Sequence, residues 1–571
     1  MSTHDELTLR VLDALLREDV LGLRTRSIPD ERPDGRWLRL DARPGTRFAL
    51  PVATGGFQCE YAVREPLLEA DGVALTDLDA MLAALAAAAD PADRPGHLAF
   101  AEECRQTLST MRLHAAARPA VHGRLAERYG HDPAAWSGLG DSLAFDTLAA
   151  YLDHPVYPTS RGRSGLTDTQ ITSFAPEFHP SFELRWLALP ASALTVHGAA
   201  PLPSWWPTPA ELGLGHLGTG HLTIPVHPLS VGAALDEALH AAGLADVAEL
   251  AEHGYLEVVP TLSTRTVAVA ADPSLHLKLP LATATLGLRN RRTIKPGTLR
   301  DGAAGQRLLA AVIEQEPRFG ESVLLADEQC YAHAGHELLA VLARRYPGGL
   351  EEAVTVPLAA LAAPAPSGRL VLDHLADHFY AGDPLALYDA LLTLLLDWQV
   401  TLFGHGIALE SHQQNTSLVL DRTADGGSRL RLLYKDNDGP RINRLRSSHL
   451  PLDEAAFDDA RIFGEDDRPL TDLFTTITGH LCTASLAFTL AEPGRAPLEV
   501  TLGLLRARLT EALERIGPAG DPLRAALLDA DRLPVKAMVS AGTLLSKERS
   551  GAADINKHYT TGPNYLRRAA S

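Results

Sequence analysis

The segment Gly406-Ile-Ala-Leu-Glu-Ser-His-Gln-Gln-Asn415 delivers Glu410, His412, Gln414 and Asn415 directly after a long apolar run that closes at Gly404. A buried helix that ends in a short polar loop holds such side chains where chemistry can use them. Further along, Asp436 and Asp438 stand at the end of the strand-like run RLRLLYKDND. One carboxylate from each segment can hold Mg2+, which takes oxygen ligands and usually bridges substrate phosphates. The same spacing also suits a solvated polar turn beside a hairpin.

A second constellation is cationic. Ser263-Thr-Arg265-Thr266 is followed by Lys278 at the end of a β-like run, then by Arg289, Arg291 and Arg292. Hydroxyls, forked guanidinium groups and a compact ammonium suit phosphate oxygens. The alternative is a basic sheet edge that resists aggregation. A third stretch, Asp153 to Gly165, offers His154, Tyr157, Arg161 and Arg163 as carboxylate receivers, or else as a Pro-rich loop with its arginines in water. His227, in IPVHPL, reads as a core histidine.

The elements that must position these groups follow from periodicity and turn chemistry. The N-terminus reads as an amphipathic helix through Leu9, Val11, Leu12, Leu15 and Leu16, and acids stand where a secretory signal would carry positive charge. The first 150 residues are expected to be mainly helical, with a helix over 76–89 capped by Thr76. Residues 170–290 turn to short β-rich runs separated by Pro and Gly. The stretch 347–367 reads as a linker or loop-rich joint. Asp383-Pro384 starts a helix that Gly404 stops, and TSLVLD with RLRLLYKDND forms a hairpin turning through Gly426 and Gly427.

Composition narrows the function classes. A chain of 571 residues with 46% hydrophobic and 22% charged residues can bury two or three cores. With 71 acidic against 52 basic residues the formal charge is −19, which argues against a sequence-independent grip on nucleic acid. An anionic substrate must therefore find a local cationic cluster. Cys59, Cys104, Cys330 and Cys482 form no CxxC pair, which fits a reducing cytoplasm. The apolar run 385–403 includes Asp389, Asp397 and Gln399, so no membrane span or anchor is expected.

Taken in order, the segment at 154–165, APEF at 175–178, IPVHP at 224–228, PTLSTRTV at 260–267, KLPL at 278–281, GIALESHQQN at 406–415 and KDNDGPRI at 435–442 resemble the aerobactin-type, NRPS-independent siderophore synthetases, the IucA/IucC family. The resemblance runs from about residue 150 to the C-terminus. It implies an α+β cupped hand, with a helical thumb over 1–150, sheet-bearing fingers over 151–345 and a palm over 346–571, often as a homodimer. It implies a cytoplasmic enzyme that uses ATP and Mg2+ to adenylate a polycarboxylic acid, citrate or a citryl derivative first among them. The activated acyl group then passes to an amine or alcohol, with AMP and pyrophosphate released.

By the family pattern, Ser263, Arg265, Thr266 and Lys278 bind the ATP phosphates. Arg289 bridges α-phosphate and substrate carboxylate. His412, Gln414 and Asn415 face the nucleotide and the reacting carboxylate, Glu410 and Asp436 sit on Mg2+, and Lys536 in LPVKAM reaches the acyl substrate with His154, Tyr157, Arg161 and Arg163. Two departures stand out: Tyr157 replaces a second histidine and Arg161 a lysine, and Lys435-Asp436-Asn437-Asp438-Gly439 replaces an Arg-Asp-Phe-like signature. The helix, histidine loop and strand-end aspartate also suit a kinase-like phosphotransferase, and a non-catalytic citrate- or siderophore-binding protein is the third class.

Overall fold

The computed structural model describes residues 1–42, 45–198, 203–491, 495–551 and 558–568. Helices and sheets are mixed throughout, as the α+β class requires. The first helix, Thr3–Arg17, starts on a capping box in which Ser2 and Asp5 satisfy each other's backbone, and it buries Leu7, Val11, Leu12, Leu15 and Leu16. Helices make up most of the described residues up to 150, as expected, and a sheet that the periodicity does not announce is set among them. A six-stranded antiparallel sheet lies between Ile28 and Leu75, its centre formed by Gly35–Asp41 paired with Arg47–Thr54. Its outer strands are short, and in the central pair charged residues such as Arg36, Arg39 and Asp41 break the apolar alternation that would betray a strand. The next helix, Leu78–Ala88, is capped one residue later than expected: the Asp77 carboxylate accepts from the Ala80 N–H.

A nine-stranded sheet occupies the middle of the chain, with Phe182–Pro190, Tyr255–Pro260, Thr266–Val269, Asp272–Lys278 and Ala340–Arg345 side by side. Its apolar face has its own core around Trp186, Val258, Leu277 and Val341. The stretch 347–367 is loop-rich, but it is packed into the fold and is no free linker. Val354–Pro357 is a fully buried strand in a four-stranded sheet, paired with Thr416–Arg422, and Leu358, Ala360, Leu361 and Ala363 are buried after it. That sheet is completed by the Thr416–Arg422 and Ser428–Tyr434 hairpin and by a parallel edge strand, Val323–Leu325.

Helix Pro384–Gly404 begins where expected, the Asp383 carboxylate accepting from the N–H groups of Leu385 and Ala386. Pro384–Gly404 and Arg468–Leu490 are long and apolar enough to cross a membrane by length and composition, but 61% and 83% of their apolar windows are buried inside this fold. They serve the largest core, which joins Leu7 and Phe100 from the N-terminal region to Trp398, Phe474 and Tyr565 from the C-terminal one. The two ends of the chain thus share one core. All four cysteines are free thiols.

Candidate functional site

Two hairpins bring the charged segments together. Thr416 pairs with Tyr434, so the residues just before 416 and just after 434 emerge at one end of the same hairpin. The Asn415 N–H donates to the His412 carbonyl at 2.8 Å, and the Lys435 N–H donates to the Asn415 carbonyl at 3.1 Å. In the middle sheet Thr266 pairs with Lys278, which sets the Ser263–Arg265 turn beside the lysine. That turn is tight: Thr264 has a φ of 63°, and the Arg265 N–H donates to the Ser263 carbonyl at 2.7 Å. The Thr266 hydroxyl donates to Ser263 Oγ at 3.3 Å.

The centre of the arrangement is Asp436, itself at a φ of 65°. Lys278 Nζ donates to its Oδ1, Arg344 Nη2 lies 3.3 Å from the same oxygen, and Lys278 lies 3.5 Å from Asp438 Oδ2. Behind them Glu328 accepts from Arg344 Nε at 2.5 Å and from the Asp436 N–H at 2.7 Å, which fixes the strained backbone. Burial alone would raise the Asp436 pKa. Lys278, Arg344 and Arg265 outweigh it and hold the carboxylate well below its ordinary range. Asp438 is raised, by burial first, with Lys278 opposing and Asp436 reinforcing. Four cations, Arg265, Lys278, Arg292 and Arg344, thus meet three carboxylates in a protein that is strongly acidic overall.

Beside this ring stand two histidines. Burial lowers His412 to about 4 and His154 to about 3, and each feels Lys536; His154 also feels His412 directly. His154 Nδ1 accepts from the N–H groups of Val156 and Tyr157, at 3.3 and 3.1 Å, which leaves its proton on Nε2. His412 Nδ1 accepts from the Gln414 N–H at 3.4 Å. Both rings are therefore neutral hydrogen-bond donors at pH 7. Lys536 is buried at the end of strand Arg532–Lys536, with Nζ 3.7 Å from Glu410 Oε1. Glu410 also flanks Gly439, where a Cβ would come within 3.1 Å of Oε2.

Several expected residues lie elsewhere. Arg289 is exposed and its Nη1 donates to the carbonyls of Ala541, at 3.0 Å, and Leu545, so it caps the open end of the Ser540–Leu544 turn. The arginine that faces the ring is Arg292, lowered to about 9 by burial and by Arg265, with Asp436, Arg163 and Asp438 acting on it too. Tyr157 is fully buried, and its hydroxyl donates to Glu103 at 2.9 Å. Glu103 also accepts from Thr159 and Thr543, so this carboxylate ties three segments together and holds the phenol's proton inside the fold. Arg161 is spent on Asp153, at 2.9 and 2.7 Å, and Arg163 on Glu177 at 3.0 Å.

Among the described residues no three His, Cys, Asp or Glu side chains form a metal cage. Mg2+ needs none, because one or two carboxylates with substrate phosphates and water suffice. Asp436 and Asp438, with Glu410 beside Gly439, supply such oxygens. Arg344 and Glu328 are the site residues that motif reading passes over, whereas Arg292 stands in the cationic constellation without a role of its own. Arg292 belongs to the same Arg-Asn-Arg-Arg run as Arg289, and a strand's alternation sends only one of Arg344 and Arg345 inward.

Residues 141–363, which carry all four cations of the ring, match the model described as the IucA / IucC family. That match covers the middle of the chain. Residues 386–548 match a model described as ferric iron reductase FhuF-like transporter. The fold is that of the petrobactin biosynthesis protein AsbB from Bacillus anthracis str. Sterne, with a TM-score of 0.76 at 17% identity over 100% of this chain and 96% of that one. It is also that of the ATP-bound aerobactin synthetase IucA from Klebsiella pneumoniae, with a TM-score of 0.70 at 17% identity over 98% and 99% of the two chains. Among curated proteins, the chain is 27% identical over 153 residues to the L-2,3-diaminopropanoate–citrate ligase of Staphylococcus aureus, covering 25% of each. It is 25% identical over 359 residues to the Rhizobactin siderophore biosynthesis protein RhbC of Rhizobium meliloti, covering 52% of this chain and 55% of that protein. The matches thus span a quarter and about half of the curated relatives' lengths.

Proposed function

We propose that this IucA/IucC-family chain is an ATP-dependent, AMP-forming ligase of siderophore biosynthesis that activates citrate or a citryl derivative and joins it to an amine or alcohol in the cytoplasm. The observation that carries the reading is the convergence of Arg265, Lys278, Arg292 and Arg344 with two neutral imidazoles and Lys536. The names of the relatives, a citrate ligase and an ATP-bound synthetase, point the same way. A carboxylate is a poor acyl donor because oxide is a poor leaving group. In the proposed first step a substrate carboxylate oxygen bonds to the α-phosphorus of ATP and the bond to the bridging oxygen breaks, releasing pyrophosphate. In the second the nucleophile's nitrogen or oxygen bonds to the acyl carbon, AMP leaves with the bonding pair, and the nucleophile's proton passes to water.

The protein's work is placement and charge. Lys278, Arg265 and the Ser263–Thr266 hydroxyls take the triphosphate. Arg292 takes the position between α-phosphate and acyl carboxylate, replacing Arg289 in that role. His154 and His412 donate from Nε2 without bringing charge, and Lys536 holds a second carboxylate of the acid. Mg2+ at Asp436, Asp438 and Glu410 would neutralise phosphate charge when bound. We assign Gln414 and Asn415 to the nucleotide side of the loop.

The match to a ferric reductase model does not extend to cluster chemistry, because residues 386–548 hold one cysteine, buried Cys482, and an iron–sulfur cluster takes four. The reading is tested by supplying ATP, hydroxylamine and a panel of carboxylic acids, and measuring hydroxamate and nucleotide products. Hydroxamate with equimolar AMP, strongest with citrate or a citryl amide, is expected. ADP in place of AMP makes the protein a phosphotransferase, and no ATP turnover with any acid makes it a binding protein.

A further inference from the structure

Lys278, the lysine assigned to the triphosphate, is held by anions of the protein itself. It is buried at the end of strand Asp272–Lys278, and among the described residues its side-chain partners are the carboxylates of Asp436 and Asp438. Other cations of the ring have holds elsewhere: Arg344 Nε on Glu328 at 2.5 Å, and Arg265 Nη1 on the Thr293 carbonyl at 2.7 Å. The space left between Lys278, Thr298, Gly302, Glu328, Asp436 and Asp438 is about 10 Å³, no more than one water needs. A phosphate oxygen and the Asp436 carboxylate cannot share the ammonium in that space, so one anion leaves before the other enters.

The backbone is not free to retreat with the carboxylate. Asp436 stands at a φ of 65° and its N–H is held by Glu328 at 2.7 Å. Helix Pro296–Gln315 packs Gly305 so closely on the next residue that a Cβ there would lie 2.4 Å from the Asn437 carbonyl oxygen. Release of Lys278 is therefore a turn of the Asp436 side chain, with Arg344 Nη2, at 3.3 Å, still beside Oδ1. Breaking a buried ion pair is costly unless both charges gain new partners. Phosphate is a new partner for Lys278, but for Asp436 it is a second anion. A divalent cation that bridges carboxylate and phosphate satisfies both.

We propose that Asp436 is a specificity-determining residue that screens nucleotides for a bound divalent cation: it keeps Lys278 from bare polyphosphate and gives the lysine up when its own carboxylate receives Mg2+. Asp438, 3.5 Å from the same ammonium, adds to the screen. The inference rests on the ligase reading. ATP and Mg2+ then bind with positive coupling, which is reciprocal. Without Mg2+ the carboxylate works against the nucleotide, so removing its charge strengthens the binding of free ATP and shrinks the effect of the metal. A carboxylate that served the metal alone, out of reach of Lys278, would leave metal-free binding unchanged.

The test is calorimetric titration of the full chain with ATP, without any carboxylic acid, in excess EDTA and again in excess Mg2+. The parent is expected to bind ATP at least a hundredfold more tightly with Mg2+. Asp436→Asn keeps the side chain's shape and suits the positive φ. It is expected to bind metal-free ATP at least tenfold more tightly than the parent, with the Mg2+ effect cut below tenfold. Asp438→Asn is expected to move the same way by a smaller factor. Asp421→Asn removes the same charge at the far end of strand Thr416–Arg422, where Asp421 pairs with Arg429 and Arg431, and is expected to leave metal-free binding within twofold. Should Asp436→Asn fail to fold, Asp438→Asn decides alone. If the parent binds ATP with Mg2+ but the site variants bind metal-free ATP no more tightly than it does, or no more tightly than Asp421→Asn, the screen is overturned and the ligase reading stands. If the parent binds no ATP in either condition, the ligase reading falls and the screen with it.

Discussion

Among single residues, Arg292 and not Arg289 is the arginine assigned to the reacting carboxylate. Arg292→Ala is expected to lower hydroxamate formation by two to three orders of magnitude, about 2.7 to 4 kcal/mol of lost transition-state stabilisation. Arg289→Ala is expected to lower Tm, because it uncaps the carbonyls of Ala541 and Leu545, with a much smaller effect on kcat. Kinetics of the two purified variants check this, and the reverse ranking would restore Arg289. Tyr157→Phe removes one of three hydroxyl donors to buried Glu103. A loss of about 1 kcal/mol in urea unfolding is expected, with the citrate to citryl-amide kcat/KM ratio unchanged. A shifted ratio would show that position 157 reads the acyl substrate after all.

At the scale of elements, boundaries marked by a side-chain cap were legible and those marked only by burial were not. Asp383 and Pro384 announce helix Pro384–Gly404, and the carboxylate is found on the Leu385 and Ala386 N–H groups. Asp383→Ala is expected to cost about 1 kcal/mol, read as a lowered urea midpoint at constant m-value. The hairpin ending at Asp436 was equally plain, since two apolar runs flank Gly426 and Gly427. The N-terminal sheet and the Val354–Pro357 strand were missed for a common reason. In each the pairing partner, Arg47–Thr54 or Thr416–Arg422, cannot be chosen from local pattern. The site was legible as segments, because Ser263, Lys278, His412, Asp436 and Lys536 lie in motifs. Arg344 and Glu328 were not, since only the third dimension puts their ion pair under Asp436.

At the scale of the whole molecule, buried histidines set the acid limit of stability. His114, His122, His179, His412 and His480 are lowered to about 4, and His154 and His227 to about 3, by burial first in every case. An unfolded histidine takes its proton near pH 6.5, so between that value and about 4 the unfolded chain holds more protons than the folded one. Stability therefore falls as pH drops through this window. Raised carboxylates, Glu18 and Glu103 among them, offset part of it because the folded state then takes protons as well. Thermal unfolding is expected to show Tm falling steadily from pH 7 to pH 5, whereas a flat profile would mean that these rings are hydrated or already charged in the fold. The same low values keep His154 and His412 neutral across the working range, so neither should produce an acid limb in kcat above pH 5.

In the proposed reaction, cations from the middle sheet and the C-terminal histidine loop together transfer AMP onto a carboxylate. The measurement that meets it directly is exchange of labelled pyrophosphate into ATP, which needs only the first half-reaction and no nucleophile. Label is predicted to enter ATP only when citrate or a citryl derivative is present, and to be lost in Arg292→Ala. Citrate-dependent ATP consumption that yields ADP, with no label entering ATP, would contradict the account.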